Sequence, residues 1–361
     1  MYDLFDYLTW RGDLSFQKDP LNAVDSLIFC CLSYVRFPDI VPAFPSPESI
    51  PLPEAVERFF ALPKEKQIFR KEEDEKLLHA MAKSRRFGAV RLMHYADRFD
   101  PQQEKQFAAV TALLDDGSAY LAFRGTDNTL VGWKEDFNMA YLPVVASQTD
   151  AREYLHKAAS TLPGGLIPGG HSKGGNLAVF AAASCDPAVR DRIINVYNHD
   201  GPGFQKEMME STGYRAVTDR IHTLIPQSSV IGMLLDHEEA YTVIHSSQVG
   251  IMQHNPYTWN VLGPDLVRSE SITASSRVID RTLKNWVNSM TPQQRGEFIN
   301  GLYQIFEATN AVKLSDLPLA WVKNFTKVSE TWKHTSPETR KLFAETFSLL
   351  FEASKKAMLP A

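Results

Sequence analysis

The chain has 361 residues, of which 44% are hydrophobic and 22% charged, and its formal net charge is −5. A chain of this length can bury a sizeable core in one large domain or two smaller ones. The charge gives no electrostatic reason to expect nucleic acid or an anionic membrane surface as a partner. The N-terminus lacks a basic segment followed by an apolar one, and no apolar run approaches the roughly 18 residues that span a bilayer. We therefore expect a cytoplasmic protein without an integral membrane segment.

The cysteines and histidines lack the spacings of a disulfide framework or a metal site. Cys30 and Cys31 are adjacent, Cys185 stands alone, neither HExxH nor CxxC occurs, and the ten histidines are scattered. Paired or metal-binding cysteines would recur at characteristic spacings. We expect neither a metal nor a cofactor.

The first two of three regions differ in the period of their apolar residues. Residues 1–87 are predicted to be a helical segment packed on the core, because apolar side chains recur at helical spacing in 22–37. In residues 88–265, short apolar runs alternate with helical stretches, which is typical of an α/β sheet with crossover helices. Asp115–Ser118 is predicted to be the turn between the first two strands.

The third region, residues 266–361, predicts helices only. Apolar residues keep helical spacing from Ile272 to Met290, and Thr291 begins a second helix with proline next and glutamine three residues on. Ser336, followed by proline, begins another helix. The amphipathic faces fit packing on the core or self-association, so a homodimer through these helices is one of two expected arrangements.

The segment GGHSKGGN, residues 169–176, surrounds one serine with glycines. Gly170, His171, Ser172, Lys173 and Gly174 fit the pattern G-x-S-x-G, between a short apolar run and a helical pattern. A serine on a sharp strand-to-helix turn needs neighbours without side chains. Ser172 is therefore a candidate nucleophile, and the Lys173 N–H a candidate oxyanion donor. The alternative is a glycine-rich turn with an inert serine.

A second motif, Phe123–Thr126 (FRGT), ends an apolar run upstream of the serine. In α/β hydrolases a loop after an early strand carries the other oxyanion donor, and Thr126 offers a backbone N–H and a hydroxyl. With the W-x-x-D segment Trp133–Asp136 and the G-H-S-x-G segment, this loop resembles the class 3 lipases. In that analogy, Arg124 and Asp136 brace the oxyanion loop rather than contact the substrate.

Longer segments between Asp6 and about Asn260 resemble the Mbeg1-like family of α/β hydrolases. They are YLTWRGDLSF, HSKGGNLA, YNHDGPGF, PQSSVIGMLL and QHNPYTW. The resemblance implies an α/β-hydrolase fold with a central, mostly parallel sheet, an N-terminal helical layer and a C-terminal helical extension.

His254 is the candidate general base. In α/β hydrolases the histidine follows the nucleophile and the acid in the chain, on a loop beyond the final strand. His254 follows the apolar stretch Tyr241–Ile244, and its H-x-x-Y spacing resembles the histidine segment of class 3 lipases. His245 is the alternative, although it would lie within or at the end of that strand. His171 is expected to be a packing residue.

The position of the acid departs from the class 3 pattern. There an aspartate follows the next-to-last strand, which here corresponds to residues 227–229, a glutamine and two serines. The replacements are Asp200 and Asp236. We favour Asp200, because it follows the apolar run 193–197 one strand earlier, a position that resembles the pancreatic lipases, at the carboxyl edge of the sheet. Its alternative role is a turn aspartate that binds its own backbone.

Together these residues predict a serine hydrolase, an esterase or lipase-like enzyme that cleaves carboxylic esters through a Ser-His-Asp triad and an acyl-enzyme. The family analogy implies a small-molecule ester or lipid-like substrate. Two alternatives remain. The missing aspartate near Ser228 favours a catalytically inactive binding module, and the same triad would support acyl transfer to an acceptor other than water.

Overall fold

The computed structural model describes residues 2–127, 129–274, 276–277, 281, 290–310, 323–334, 336–337, 339–341, 343–345 and 348. Its centre is a sheet of eight strands in the order β1-β2-β3-β4-β5-β6-β7-β8. The strands are β1 (Ile50–Pro51), β2 (Arg91–Asp100), β3 (Lys105–Leu113), β4 (Ala119–Phe123), β5 (Leu166–His171), β6 (Val196–His199), β7 (Ile221–Pro226) and β8 (Tyr241–Ile244). Strands β4 to β8 are parallel, whereas β1 with β2 and β3 with β4 are antiparallel. The protein therefore has an α/β fold with a mostly parallel central sheet.

The helices precede, connect and follow these strands. They are α1 (Leu4–Arg11), α2 (Ala23–Leu32), α3 (Leu52–Phe60), α4 (Glu73–Lys83), α5 (Arg85–Gly88), α6 (Leu130–Asn138), α7 (Ala146–Thr161), α8 (Lys173–Ser184), α9 (Pro187–Arg190), α10 (Lys206–Met209), α11 (Thr212–Val217), α12 (Pro292–Ala308) and α13 (Phe325–His334). Short 3-10 helices span Lys64–Lys66, Thr218–Arg220, Gly250–His254 and Pro256–Thr258. A separate two-stranded sheet pairs β9 (Val261–Leu262) with β10 (Asp265–Leu266). None of the described helices is both long and apolar enough to cross a bilayer.

The chain divides into two compact units. The first comprises Met1–Arg98, Phe107–Gly125 and Ser147–Ile272, and the second comprises Phe99–Gln106, Thr126–Ala146 and Thr273–Ala361. Apart from the adjoining ends of β2 and β3, the large sheet belongs to the first unit, which also contains the N-terminal helices.

The sequential strand order explains why the two faces of the sheet differ. Right-handed crossovers between neighbouring parallel strands place their helices on one face. On β4, Leu121 and Phe123 belong to the apolar cluster built with α7, α8 and α11. The alternate residues Tyr120 and Ala122 belong to the cluster built with the N-terminal helices. Those helices therefore cover the face that the crossovers leave open.

A buried ion pair joins the N-terminal helices. Arg86 Nη2 on α5 lies 2.6 Å from Asp25 Oδ2 on α2, and both side chains are fully buried. Tyr7 on α1 donates a hydrogen bond of 2.9 Å from its hydroxyl to the other carboxylate oxygen. The helix predicted within 22–37 is confirmed for Ala23–Leu32, and the Asn22 side chain caps its first turn.

The sequence patterns predict the β3–β4 turn but miss the strand β1, and they place β3 first in the α/β region although β2 precedes it. The turn Asp115–Ser118 is confirmed, because Leu113 pairs with Ala119 across it, and Gly117 has a φ of +88°. Strand β1 lies in the segment predicted to be helical. Two residues are too few to show an apolar period, so only the pairing with β2 defines this strand.

The second unit has its own small core. Phe298, Ile299 and Ile305 of α12 pack with Val328 of α13 and with Phe343. The predicted start of α12 is confirmed, because Thr291 caps it in a capping box with Gln294. Most of the helices predicted over 272–290 and after Ser336 lies outside the described residues.

Candidate active site

Ser172 lies in the sharp turn between β5, which ends at His171, and α8, which begins at Lys173. Its φ of 60° and ψ of −134° form a backbone conformation that residues other than glycine rarely adopt. The Ser172 N–H donates to the carbonyl oxygen of His199, at the end of β6, over 2.9 Å. Such strain costs about 1–3 kcal/mol and persists only where the surroundings enforce it. The strand, turn and helix form the structural context that the G-x-S-x-G pattern requires.

The glycines around Ser172 allow α8 to approach the sheet closely. A Cβ on Gly170 would lie 2.1 Å from the carbonyl group of Gly174, and a Cβ on Gly174 would lie 2.1 Å from the carbonyl oxygen of Phe123. Both distances are far shorter than van der Waals contact. A side chain at either position would therefore push the helix away from the strands that position Ser172.

His254 and Asp200 are hydrogen-bonded to each other. The His254 Nδ1–H donates to Asp200 Oδ2 over 2.6 Å. Asp200 follows β6 directly and is fully buried, whereas 26% of the His254 side chain is exposed at the end of the 3-10 helix Gly250–His254. A neutral imidazole that donates from Nδ1 has Nε2 as its acceptor. Nε2 is therefore the atom available to take a proton.

The other carboxylate oxygen of Asp200 is bound from the loop after β7. Ser229 Oγ donates to Asp200 Oδ1 over 2.5 Å, and the Gly232 N–H donates to the same oxygen over 3.2 Å. Ser229 occupies the segment where the class 3 pattern expects an aspartate. The sequence patterns do not assign Ser229 to the site, although a hydroxyl residue at that position is the available signal.

The two alternative residues have different surroundings. Asp236 is exposed, and its carbonyl oxygen accepts a backbone hydrogen bond of 2.8 Å from Phe204. His245 follows β8 immediately, and its Nδ1 lies 2.6 Å from Asn260 Oδ1. His245 therefore joins its strand to the following segment, and the carboxylate that meets His254 belongs to Asp200.

His171 supports the segment that carries His254. Its Nε2–H donates to the carbonyl oxygen of His254 over 2.8 Å, so its Nδ1 is the acceptor for the Tyr34 hydroxyl at 3.3 Å. Burial, followed by the proximity of His254, holds the pKa of His171 well below its usual value. Burial also raises the pKa of Tyr34 to about 12, so its hydroxyl stays protonated. Sequence reasoning expected a packing role for His171 and overlooked Tyr34.

The FRGT loop reaches the Ser172 turn through Gly125. A Cβ on Gly125 would lie 2.2 Å from the Tyr34 hydroxyl and 3.1 Å from Ser172 Cβ. Arg124 is buried, and its Nη2 lies 2.7 Å from Asp97 Oδ1. On the other side of Ser172, Lys173 is the first residue of α8, where the positive end of the helix dipole favours an anion.

Within the second unit, Thr126 is bound to α6. Its Oγ1 donates to Asp136 Oδ2 over 2.5 Å. The Thr126 hydroxyl is thus engaged, so an oxyanion role would fall to its backbone N–H. That role remains a prediction from the sequence, as does the bracing role of Arg124 and Asp136.

The sequence of the chain matches the model of a known family. The profile of the Mbeg1-like family matches residues 81–304, which include Ser172, Asp200 and His254. Among solved structures, the Rhizomucor miehei lipase propeptide complex is similar at 14% identity and a TM-score of 0.34, over 46% of this chain and 58% of that one. The match covers a little over half of the length of that structure. No curated protein matches the sequence of the present chain. The chain belongs to the Mbeg1-like family.

Proposed function

We propose that the protein is a serine hydrolase that cleaves carboxylic esters, an esterase or lipase-like enzyme. The observation that carries the proposal is the hydrogen bond between His254 and the buried Asp200. His254 is also tied to the residue before the nucleophile, because His171 donates to its carbonyl oxygen. A strained serine, a histidine whose Nε2 is the acceptor nitrogen and a buried acid are the parts that nucleophilic acyl transfer requires.

The reaction follows from these parts. Ser172 Oγ attacks the acyl carbonyl while His254 Nε2 takes the hydroxyl proton. The tetrahedral intermediate then expels the alcohol, to which His254 returns that proton, and an acyl-enzyme remains. Water, deprotonated by His254, attacks the acyl-enzyme, and the acid leaves as His254 returns the proton to Ser172 Oγ. Asp200 keeps the imidazole in the required tautomer and stabilises the imidazolium that forms.

The negative charge of the intermediate develops on the former carbonyl oxygen. In this proposal the backbone N–H groups of Lys173 and Thr126 donate to that oxygen. One such donor is typically worth about 3 kcal/mol in the transition state. The position of Lys173 at the start of α8 supports its part in this role.

The proposal is tested with p-nitrophenyl acetate, butyrate and octanoate. We expect the wild-type protein to release p-nitrophenol from at least one of them, and Ser172→Ala and His254→Gln to lose this turnover. His245→Gln is the matched control, because this histidine binds Asn260 instead of an acid. Undiminished turnover in Ser172→Ala would contradict the proposal. An inactive binding module would give no turnover in any variant, and product esters formed with added alcohol would reveal acyl transfer.

A further inference from the structure

The guanidinium of Arg70 lies close to the candidate site, and the mechanism above does not use it. Arg70 belongs to the segment between the 3-10 helix Lys64–Lys66 and α4. Its Cζ lies 3.7 Å from the centre of the Tyr34 ring. Within the described part of the chain, its Nε and Nη2 are buried and have no hydrogen-bond partner. These nitrogens share one edge of the guanidinium, which presents a fork suited to two oxygens of a carboxylate or phosphate.

The neighbouring acid, Asp74, accepts hydrogen bonds from the backbone of this segment but none from Arg70 Nε or Nη2. Its Oδ2 accepts from the backbone N–H groups of Arg70 and Lys71 over 2.8 and 2.9 Å. Its Oδ1 accepts from the Tyr257 hydroxyl over 2.7 Å. Asp74 is fully buried. It therefore fastens the backbone of Arg70 to the 3-10 helix that follows His254.

Tyr34 connects Arg70 to the nucleophile turn. Its ring carries the guanidinium on one face, and its hydroxyl lies 3.3 Å from His171 Nδ1. The same hydroxyl is so close to Gly125 that a Cβ there would lie 2.2 Å away. Gly125 in turn adjoins Ser172. One aromatic ring therefore separates the cation from the residues that flank the proposed nucleophile.

Asp74 lies close enough to interact electrostatically with the Arg70 guanidinium, but buried N–H donors without acceptors are still unfavourable. The Tyr34 ring offsets part of this cost through a cation–π contact, but it accepts none of the in-plane N–H bonds. An anionic group supplied by a ligand would satisfy both nitrogens. The residue as a whole is only partly buried.

We propose that Arg70 binds an anionic group, a carboxylate or phosphate, on the ester that the site hydrolyses. The inference rests on the proposed function and narrows its substrate class to anionic esters. The chain as a whole is negatively charged, so a local cation is needed to favour such substrates over neutral ones. Arg70 acts here as a specificity residue and takes no part in proton transfer.

The test compares anionic esters with neutral partners of the same shape. One pair is 4-nitrophenyl hydrogen suberate and its methyl ester, with the carboxylate on the acyl side. The other is 4-acetoxyphenyl phosphate and its dimethyl ester, with the phosphate on the alcohol side. We expect wild-type kcat/KM to favour the anionic member of at least one pair by about tenfold or more, as a charge-assisted bidentate contact would give. The pair that shows the preference identifies the anion together with the side of the ester that carries it.

Variants then assign the preference to Arg70. In Arg70→Met the ratio of anionic to neutral kcat/KM should fall to about one, and in Arg70→Lys, which keeps the charge but loses the fork, it should lie in between. Arg152→Met, which changes an exposed arginine on α7, is the matched control and should keep the wild-type ratio. If Arg70→Met does not fold, the ratio of anionic to neutral kcat/KM is compared between wild type and Arg70→Lys.

The outcomes separate this inference from the proposed function. Ester hydrolysis that depends on Ser172 but shows no anionic preference, or an anionic preference that is as large in Arg70→Met or in Arg70→Lys as in wild type, overturns the role of Arg70 and leaves the hydrolase intact. A protein that hydrolyses no ester can still be tested for binding. Inorganic phosphate should then raise the melting temperature of Ser172→Ala more than that of Ser172→Ala with Arg70→Lys. Equal shifts would overturn the inference.

Discussion

The His254 imidazole donates to the Asp200 carboxylate over 2.6 Å, and Asp200 directly follows β6, the strand beside the one that leads into Ser172. The carboxyl ends of neighbouring parallel strands meet at one edge of a sheet, where open α/β folds place their functional groups. The acid of the proposed triad therefore follows β6, and the loop after β7 contributes a hydroxyl and an N–H to its carboxylate.

Asp200→Asn tests this assignment of the acid. We expect kcat on p-nitrophenyl butyrate to fall by about a thousandfold or more, because an asparagine favours the wrong imidazole tautomer. The control is Asp236→Asn, which changes an exposed side chain and should leave kcat within about twofold of wild type, the range of surface substitutions. A large loss in Asp236→Asn, with Asp200→Asn active, would reverse the assignment.

Ser229→Ala tests the support of the acid. Ser229 Oγ donates to Asp200 Oδ1, and a hydrogen bond to a charged group is worth about 1.5–3 kcal/mol. We expect kcat to fall by about tenfold or more while KM changes little, since the serine positions Asp200 rather than the substrate. Ser160→Ala, at an exposed position, is the control. An unchanged kcat in Ser229→Ala would remove this residue from the site.

Gly232→Ala tests the position of Asp200 Oδ1 by adding a methyl group beside it. A Cβ at this position would lie 2.3 Å from Asp200 Oδ1, so the carboxylate or the loop must shift. We expect a loss of kcat larger than that of Ser229→Ala, with the melting temperature lowered as well. Wild-type kinetics and stability in Gly232→Ala would show that the loop adjusts without moving the acid.

The Ser172 turn and the start of α8 can be predicted from the local sequence, because glycines and a helical pattern specify them within a few residues. The hydrogen bond between Ser229 and Asp200 depends on the pairing of β6 with β7, which no local sequence pattern encodes. The contact of Tyr34 with His171 joins residues 137 positions apart in the chain, and Arg70 lies against the Tyr34 ring. The exposure of Asp236 likewise follows from the packing of the fold and cannot be predicted from the local sequence.

The pH dependence of stability tests the buried histidines. Burial, followed by the proximity of His222, lowers the pKa of His199 to about 3. The folded state keeps this ring neutral, whereas the unfolded chain protonates it near its ordinary pKa of about 6.5. Its contribution to stability is therefore present above about pH 6.5 and is lost as the pH falls towards 3, by up to about 1.4 kcal/mol per pH unit.

His199→Gln should remove that contribution to the pH dependence. The free energy of unfolding in urea, measured between about pH 7.5 and 5, should fall less steeply in this variant than in wild type. His334→Gln, at an exposed position, is the control and should follow the wild-type slope. Equal slopes for His199→Gln and wild type would show that His199 does not titrate as the buried geometry requires.

We expect the buried ion pair of Asp25 and Arg86 to contribute to the free energy of unfolding. Arg86→Met should lower the free energy of unfolding by about 3–5 kcal/mol, because it leaves the buried Asp25 carboxylate unpaired. The double variant Asp25→Leu with Arg86→Met should recover part of this loss, since no charge then stays buried alone. A double variant less stable than Arg86→Met would contradict that explanation.

The most direct test of the serine hydrolase is intact mass after exposure to a fluorophosphonate, on wild type and on Ser172→Ala. An activated serine attacks the phosphorus, displaces fluoride and keeps the phosphonyl group, so we expect one adduct on wild type and none on Ser172→Ala. A folded wild-type protein that gains no adduct, or an adduct that persists in Ser172→Ala, would contradict the proposed nucleophile.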